Sequence, residues 1–568
     1  MNIHDLKELI IGKLETALAQ TGNRKENKLT ADMLEFTPDP KLGHFAFPCF
    51  LFAKTLKLAP NAVAAKLADA MTPDDVIIKV EAVGPYVNFF LDATVFARAA
   101  FGDLAEKNTS TTSVMVEFSQ PNTHKEFHIG HVRNACLGVS LVRIFQECGD
   151  RAIPVNYIGD TGTHVAKCLW WYMKKYHGKA PRKDKGKFLG RVYVEATKES
   201  ESDSARSEIS QMLQKLENHD PETEKLWRMT RQWSLDAFDE IYHELSVSFD
   251  HVYYESEMLD ESKVMADEMI KKGIAKKDQG AVIVDLREYD LDVALLIKSD
   301  GTVLYGAKDI PLAFKKAQMF DFNESVYVVD SRQTFYFKQL FKILELLGYP
   351  KKLRHVPYEF VTLPQGAMSS RLGNVVLYEE LRDEAYLKAL AETKKRHADW
   401  EDASLSTTAR IIALSAIKFA MIKHDTNQVI TFDLERALSF EGDTGPYILY
   451  TYARLQSILR KVSQENMVVN TDDFDASTLH EPEELAILGH IARFRTTLLR
   501  AKEELRPSLL ATAILEFCQD FNSFYHKFHI VNCDDIQLKK SRIILTQESG
   551  IMIQKMANLL NFSLLEKM

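Results

Sequence analysis

The sequence predicts an α/β core, a parallel sheet wrapped by helices, with a small α+β unit ahead of it and an all-α bundle behind it. Three observations predict this. Between 114 and 363, short apolar runs of strand length alternate with helical stretches. Ahead of about residue 112, amphipathic segments accompany two alternating strands. In the last third, apolar residues recur at 4-3-4-3 spacing. The 568 residues are enough for about three to four domains of ordinary size.

In chain order, Leu6-Lys7-Glu8-Leu9-Ile10 opens an amphipathic helix, and further helices are expected at 50–57 and 62–70. Strands are expected at 77–81 and 86–91 with Gly84-Pro85 turning between them, followed by a polar linker at 108–113. The core then reads as a strand at 114–118, a helix at 131–148 and a strand at 153–158, with further strands at 326–329 and 358–363. Ser299-Asp300-Gly301 between apolar runs signals a hairpin. A charged helical insertion interrupts the core near 174–244. Its first part, 174–187, holds seven Lys/Arg and one Asp, either a solvated loop or a phosphate contact. Ile448, Tyr452, Leu455, Leu459 and Val462 form one helical stripe. Ile487, Ile491, Phe494 and Leu498 form a second, and Leu510, Ile514, Phe517 and Phe521 a third, which together make a bundle. The resulting division is 1–112, 113–375 and 376–568.

Composition narrows the function. Hydrophobic residues at 46% and charged residues at 27% exclude a disordered or collagen-like chain. No uncharged apolar run reaches the roughly 18 residues that a bilayer demands, so no membrane partner is expected. Met1-Asn2-Ile3-His4-Asp5 lacks a basic stretch leading into an apolar one, and the six cysteines form no CxxC pair; a cytoplasmic protein is expected. A net charge of −9 leaves nucleic-acid binding to local patches.

The chemistry concentrates where 116–133 leaves a strand and enters a helix, the place where open α/β sheets bind ligands. Neither GxGxxG nor GxxxxGK[ST] is present. Instead His128-Ile129-Gly130-His131 puts two imidazoles at a helix start, where both can address one phosphate beside the positive end of the helix dipole. Gly130 lets the backbone approach a flat ring. Two alternatives stand beside a nucleotide-phosphate site: a metal held by His124, His128 and His131, and an incidental cluster. With HExxH absent, no metal site is expected.

His-Ile-Gly-His after Ser119-x-Pro121-Asn122-x-x-Lys125 resembles the first signature of class I aminoacyl-tRNA synthetases, and the wider context is similar to the arginyl-tRNA synthetases. Matching pieces follow in order: Tyr157 to Thr163, Lys298 to Thr302 with Tyr305 and Asp309, Asp330 to Gln333, Ser439 to Tyr447, and Phe521 to Tyr525. The resemblance implies an α/β Rossmann-like catalytic domain flanked by an N-terminal α+β domain that contacts tRNA and a C-terminal helical anticodon-binding domain. It implies ligation of arginine to its tRNA through an arginyl-adenylate, with ATP as substrate, Mg2+ as helper and a monomeric enzyme. Members of the family usually bind tRNA before activating arginine. The second signature, a Lys-Met-Ser-Lys-Ser loop, is held here by Ala367-Met368-Ser369-Ser370-Arg371 without either lysine. Lys125 or Arg371 is the candidate to supply the missing charge.

A guanidinium is planar, always charged and rich in donors, so its partner is a carboxylate. Asp309 is the first candidate and Glu117 the second, with Tyr305 beside them; Asn122 and Gln333 suit the α-amino and carboxylate ends. As single residues, Asp309 before Ile310-Pro311 also reads as a helix cap, Glu117 as a strand-end charge, Asn122 as a turn former and Gln333 as a solvated strand end. His128, His131 and Lys125 are the expected catalytic group. Gly130, Met368, Ser369, Ser370 and Arg371 join the histidines around ATP. Tyr447, Tyr450, Tyr452, Phe524 and Tyr525 are either core or a platform for unpaired bases. A synthetase for another amino acid and a non-catalytic tRNA-binding relative are the competing readings.

Overall fold

The computed structural model describes residues 1–20, 29–106, 110–364, 376–465 and 467–568. The first unit contains α1 (Ile3–Gln20), β1 (Glu35–Phe36), β2 (Phe45–Pro48), α2 (Phe50–Leu56), α3 (Pro60–Asp69), β3 (Ile77–Val83), β4 (Tyr86–Leu91) and α4 (Ala93–Ala105). Its strands form one antiparallel sheet, ordered β1-β2-β4-β3. The two expected strands are β3 and β4; β1, β2 and α4 were not anticipated. The last begins where the Val95 amide donates to the Asp92 carboxylate at 2.9 Å, a side-chain cap. Of the expected linker, 108 and 109 lie outside the described residues, and Ser113 already opens a strand.

The core begins with β5 (Ser113–Glu117), α5 (Ile129–Glu147) and β6 (Arg151–Ile158), then the helices α6 (Thr163–Tyr176), α7 (Lys185–Glu199), α8 (Asp203–Glu217) and α9 (Pro221–Leu245). Next come β7 (His251–Tyr254), α10 (Leu259–Lys271), β8 (Lys276–Asp278), β9 (Ala281–Asp285) and β10 (Val293–Ile297). It closes with α11 (Tyr305–Met319), β11 (Glu324–Asp330), α12 (Thr334–Leu346), β12 (Lys352–Tyr358) and β13 (Val361–Thr362). The main sheet is wholly parallel, ordered β12-β11-β5-β6-β7. Strand order reverses between β5 and β11, so a crevice opens at their carboxyl ends. Val114, Met115 and Val116 are all buried, as a strand covered on both faces requires.

The expected strand at 358–363 is displaced. The sheet's edge strand is β12, which ends at Tyr358, while Val361 and Thr362 pair with a separate short strand. Lys352, Arg354 and His355 mask β12 in the sequence, because an edge strand tolerates charge that a central one does not. The expected hairpin turn is present. Gly301 takes φ 86° and the Lys298 amide donates to the Thr302 carbonyl at 3.0 Å. The insertion is α7 to α9 together with the end of α6. In its basic run, Lys174 pairs with Glu208 at 2.9 Å and Lys175 with Glu195 at 3.0 Å, as on a solvated face.

The remaining elements are α13 (Tyr378–Arg396), α14 (Asp402–Ile422), β14 (Ile430–Thr431), α15 (Leu434–Ala437), α16 (Gly445–Gln464), α17 (Pro482–Glu504), α18 (Ser508–Lys527) and α19 (Ile536–Leu559). The three apolar stripes fall on α16, α17 and α18 and are buried, with Leu459 half-buried. Tyr452 and Phe524 are core residues. Tyr450 and Tyr525 are half-buried and hold the Arg454 guanidinium between their rings, 4.7 and 4.5 Å from the centroids. By length and composition α14 could cross a membrane; most of it is buried, packed on α5, α13 and α16.

Candidate active site

The chain leaves β5 at Glu117 and resumes regular structure at Ile129. Between them Ser119, Gln120 and His124 take φ of 78°, 46° and 62°, a left-handed backbone that side chains disfavour. Such strain persists where contacts over-determine it. Here the Ser119 amide donates to Asn134 at 2.6 Å, the Gln120 amide to Asn156 at 3.0 Å, and the His124 amide to Ser234 at 2.9 Å. The contorted turn delivers His128 to the N-cap of α5. Lower down, a Cβ on Gly138 would overlap the Phe118 ring, so α5 lies close against the sheet only with glycine there.

The Gly130 amide donates to His128 Nδ1 at 3.1 Å, and the His128 amide donates to His131 Nδ1 at 3.2 Å. Each ring therefore carries its proton on Nε2, opposite the backbone. The rings stack with centroids 3.8 Å apart. Burial, followed by the charge of Lys125, pushes His128 down to about 4; burial, His128 and Lys125 hold His131 well below the usual range. Burial thus favours the neutral form of both rings, with Nε2–H as the donor. A Cβ on Gly130 would come within 3.0 Å of the His128 ring, so this glycine makes room for the imidazole above it. His124 takes no part: both its nitrogens bond threonine hydroxyls, Thr123 at 3.0 Å and Thr230 at 2.8 Å. Among the described residues no three His, Cys, Asp or Glu side chains gather as a metal site.

His128, Gly130 and His131 open onto a cleft of about 510 Å³ whose other walls include Asn122, Asn134, Arg332, Gln333 and Tyr358. That is the size of a nucleotide or drug-sized ligand site. Asn134 ties its sides together, donating to the Val328 carbonyl at 2.9 Å and to the Tyr358 hydroxyl at 3.1 Å. Glu117, Tyr305, Asp309 and Lys125 are not in this lining.

Asp309 belongs to a buried polar cluster outside that lining, with Tyr336, Glu117 and Glu255 around it. It sits within α11, which begins at Tyr305 with Leu304 as its cap residue, so the capping alternative does not hold. Asp309 Oδ2 accepts from the Tyr336 hydroxyl, while the buried Oδ1 has no partner. Burial raises its pKa to about 7; Glu117 and Glu255 add to the rise, and Tyr336 and Lys316 oppose it. Glu255 Oε1 accepts from Lys308 at 2.6 Å, and its Oε2 is buried without a partner, as are the Tyr157 hydroxyl and His164 Nε2. Buried polar atoms normally find partners, so four in one region call for a polar ligand. Asn122, in the cleft lining, stands next to this cluster across Gly159. A Cβ on Gly159 would strike Asn122 Oδ1 and lie 3.4 Å from Glu255 Oε2.

Glu117 departs from its expected role. It forms a buried ion pair with Lys316, so its charge is matched inside the protein. Tyr305 is 59% exposed, with the Lys308 ammonium 5.8 Å from its ring, at the outer end of α11. The Lys125 ammonium is 5.2 Å from the Tyr193 ring, near enough for its charge to act on His128 and His131. Met368, Ser369, Ser370 and Arg371 lie outside the described residues. Sequence reasoning missed Glu255, Lys308, Tyr336 and His164. Tyr157 and Arg332 stood inside quoted segments yet carried no signal of their own.

A cleft opened at the reversal of a parallel sheet and faced by a His-Ile-Gly-His helix start defines the class, that of the class I aminoacyl-tRNA synthetases. The family model described as tRNA synthetases class I (R), catalytic domain, matches residues 98–434. The DALR anticodon binding domain matches 448–568 and the arginyl tRNA synthetase N terminal domain 5–91. The chain is 36% identical over 553 residues to the arginine–tRNA ligase of Bdellovibrio bacteriovorus, covering 94% of this chain and 93% of that protein. It is 33% identical to that of Halothermothrix orenii, covering 99% and 100%. The solved Thermus thermophilus arginyl-tRNA synthetase superposes with a TM-score of 0.79 at 26% identity, covering 99% and 100%. The chain belongs to the arginyl-tRNA synthetase family: it is an arginine–tRNA ligase that uses ATP to charge tRNA with arginine.

Proposed function

We propose that the enzyme activates arginine in two adjoining compartments. The guanidinium enters the polar pocket against Asp309 and the free oxygen of Glu255, with the Tyr157 hydroxyl beside them and Tyr305 at the outer end of the helix. Asn122 and Gln333 hold the amino and carboxylate ends where the pocket meets the cleft. ATP occupies the cleft. An arginine carboxylate oxygen attacks the α-phosphorus, the bond to the bridging oxygen breaks, and pyrophosphate leaves with the electron pair. The Nε2–H donors of His128 and His131, the amino end of α5 and the nearby charge of Lys125 stabilise the charge that develops. The 2′-hydroxyl of the terminal adenosine then attacks the activated carbonyl, and AMP leaves. The protein supplies position and electrostatics rather than covalent chemistry.

Magnesium belongs to the substrate in this reading. Asp330, the carboxylate in the cleft wall, is spent on Arg332 through bonds of 2.7 and 2.8 Å, so the described cleft supplies no ligand set of its own. Met368, Ser369, Ser370 and Arg371 enter only through the family resemblance, as a loop over the phosphates. For tRNA, the Tyr450–Arg454–Tyr525 stack supports base stacking on the bundle, and the N-terminal unit takes the tRNA body. A cytoplasmic monomer without a membrane partner completes the reading.

The four partnerless buried polar atoms around Asp309 and Glu255 carry the proposal. ATP–pyrophosphate exchange with tRNA present tests it. Arginine supports exchange, while citrulline, shaped alike but uncharged, is rejected by about 10⁴-fold. Equal rates with the two amino acids would remove the carboxylates from recognition.

A further inference from the structure

Arg133 lies two residues beyond His131 on α5 and is fully buried. No carboxylate bonds it among the described residues. Its Nη1 donates to the carbonyls of Glu359 at 2.5 Å and Gln428 at 2.9 Å, and its Nη2 to those of Asp425 at 3.1 Å and Thr426 at 3.4 Å. The Tyr358 ring lies 5.9 Å from the guanidinium carbon. A guanidinium buried against carbonyls and a ring, with no carboxylate to bond it, is expensive, and an apolar side chain would fill the same space.

The clamp joins three pieces. One is α5, which carries both histidines. The second is the cleft wall, because Glu359 stands between the lining residues Tyr358 and Phe360. The third is the segment 425–428 that follows α14, to which the Glu359 amide also donates through the Thr426 carbonyl at 2.8 Å. A second link starts where the first ends. Asp425 Oδ2 accepts from Arg506 Nη2 at 2.5 Å, and Arg506, in the turn between α17 and α18, is braced by Glu504 at 2.6 Å. Asp425 thus touches both the buried clamp and the turn between α17 and α18, beside the direct packing of α5 on α17 and α19.

We propose that Arg133 is a positioning residue for adenylate formation, and that the Asp425–Arg506 pair makes the placement of the helical bundle set the spacing between the imidazoles and the opposite cleft wall. The coupling element is the 425–428 segment, held by a fork on one side and an ion pair on the other. It rests on the assignment of the cleft to ATP.

The test uses the full chain with tRNA present. Asp425→Asn and Arg506→Gln alter partly exposed side chains and leave the core intact. Each slows arginine-dependent ATP–pyrophosphate exchange at saturating substrate by about 3- to 30-fold. KM for arginine and ATP stays within about twofold, the signature of lost transition-state positioning. The double variant is no slower than either single one, and the swapped pair, Asp425→Arg with Arg506→Asp, restores most of the rate. Arg133→Lys keeps the charge, loses the fork and slows exchange in the same way. Unchanged rates in both single variants overturn the proposal, as do single effects that add in the double variant or a rise in KM without loss of rate. His131→Asn runs alongside. Normal exchange in that variant sinks the ATP assignment itself; crippled exchange there, beside normal Asp425→Asn and Arg506→Gln, sinks the coupling alone.

Discussion

Replacing Asp309 by asparagine removes one charge and little volume. The variant amide can still accept from Tyr336, so the pocket keeps its shape and loses its electrostatics. Taking away one partner of a buried ion pair costs about 3–5 kcal/mol. Glu255 remains to share the guanidinium, which favours the lower end, about 3 kcal/mol, or on the order of 150-fold weaker arginine binding. KM for ATP should move by less than about threefold, because Asp309 is not in the cleft lining. A second signature comes from protons. Burial holds Asp309 up at about 7, and a guanidinium binds its ionised form. Between pH 6 and 8 the ionised share rises from about one tenth to about nine tenths, so arginine affinity climbs about tenfold with pH and then levels off. In Asp309→Asn that slope disappears. Calorimetric titration with arginine at several pH values, beside exchange kinetics for both substrates, reads both effects. Equal losses toward arginine and ATP, or a pH slope that survives in the variant, would refute the reasoning.

Tyr336→Phe deletes the bond that lowers the Asp309 pKa, so the pH midpoint of arginine affinity moves up and affinity at pH 7 falls about 2- to 12-fold by calorimetry. Gly130→Ala forces the His128 ring off its rotamer, at a cost of about 0.5–1.5 kcal/mol; exchange slows by about 2- to 12-fold with little change in melting temperature. Lys125→Ala removes a charge near both imidazoles; the exchange rate drops about 100-fold while KM for arginine stays put, and an unchanged rate takes Lys125 out of the mechanism.

The half of the site proposed for the nucleotide carries a local signal. His128, Gly130 and His131 fall within four residues, and a strand–turn–helix frame is enough to aim them. Their neutrality was not legible, since it comes from burial that only the folded chain provides. The polar cluster proposed for arginine is dispersed over β6, α6, the end of β7, α11 and α12, where Tyr157, His164, Glu255, Asp309 and Tyr336 are each ordinary residues in ordinary segments. Asp309 looked like a cap because Pro311 follows; what decides is that α11 starts four residues earlier, at Tyr305. Glu117 looked available because its partner, Lys316, is 199 residues away. Of the strands, buried β5 and β6 were plain as apolar runs, whereas edge strands β7 and β12 carry histidine, lysine and arginine and were missed or shifted.

Gly138 has a reach well beyond its own position. It lets the first core helix bed close onto the sheet, and so bears on the height at which the two rings at that helix's far end face the cleft. A methyl group there would have to displace an aromatic ring or raise the whole cylinder. The injury would surface two turns away as lost chemistry in a protein that still folds.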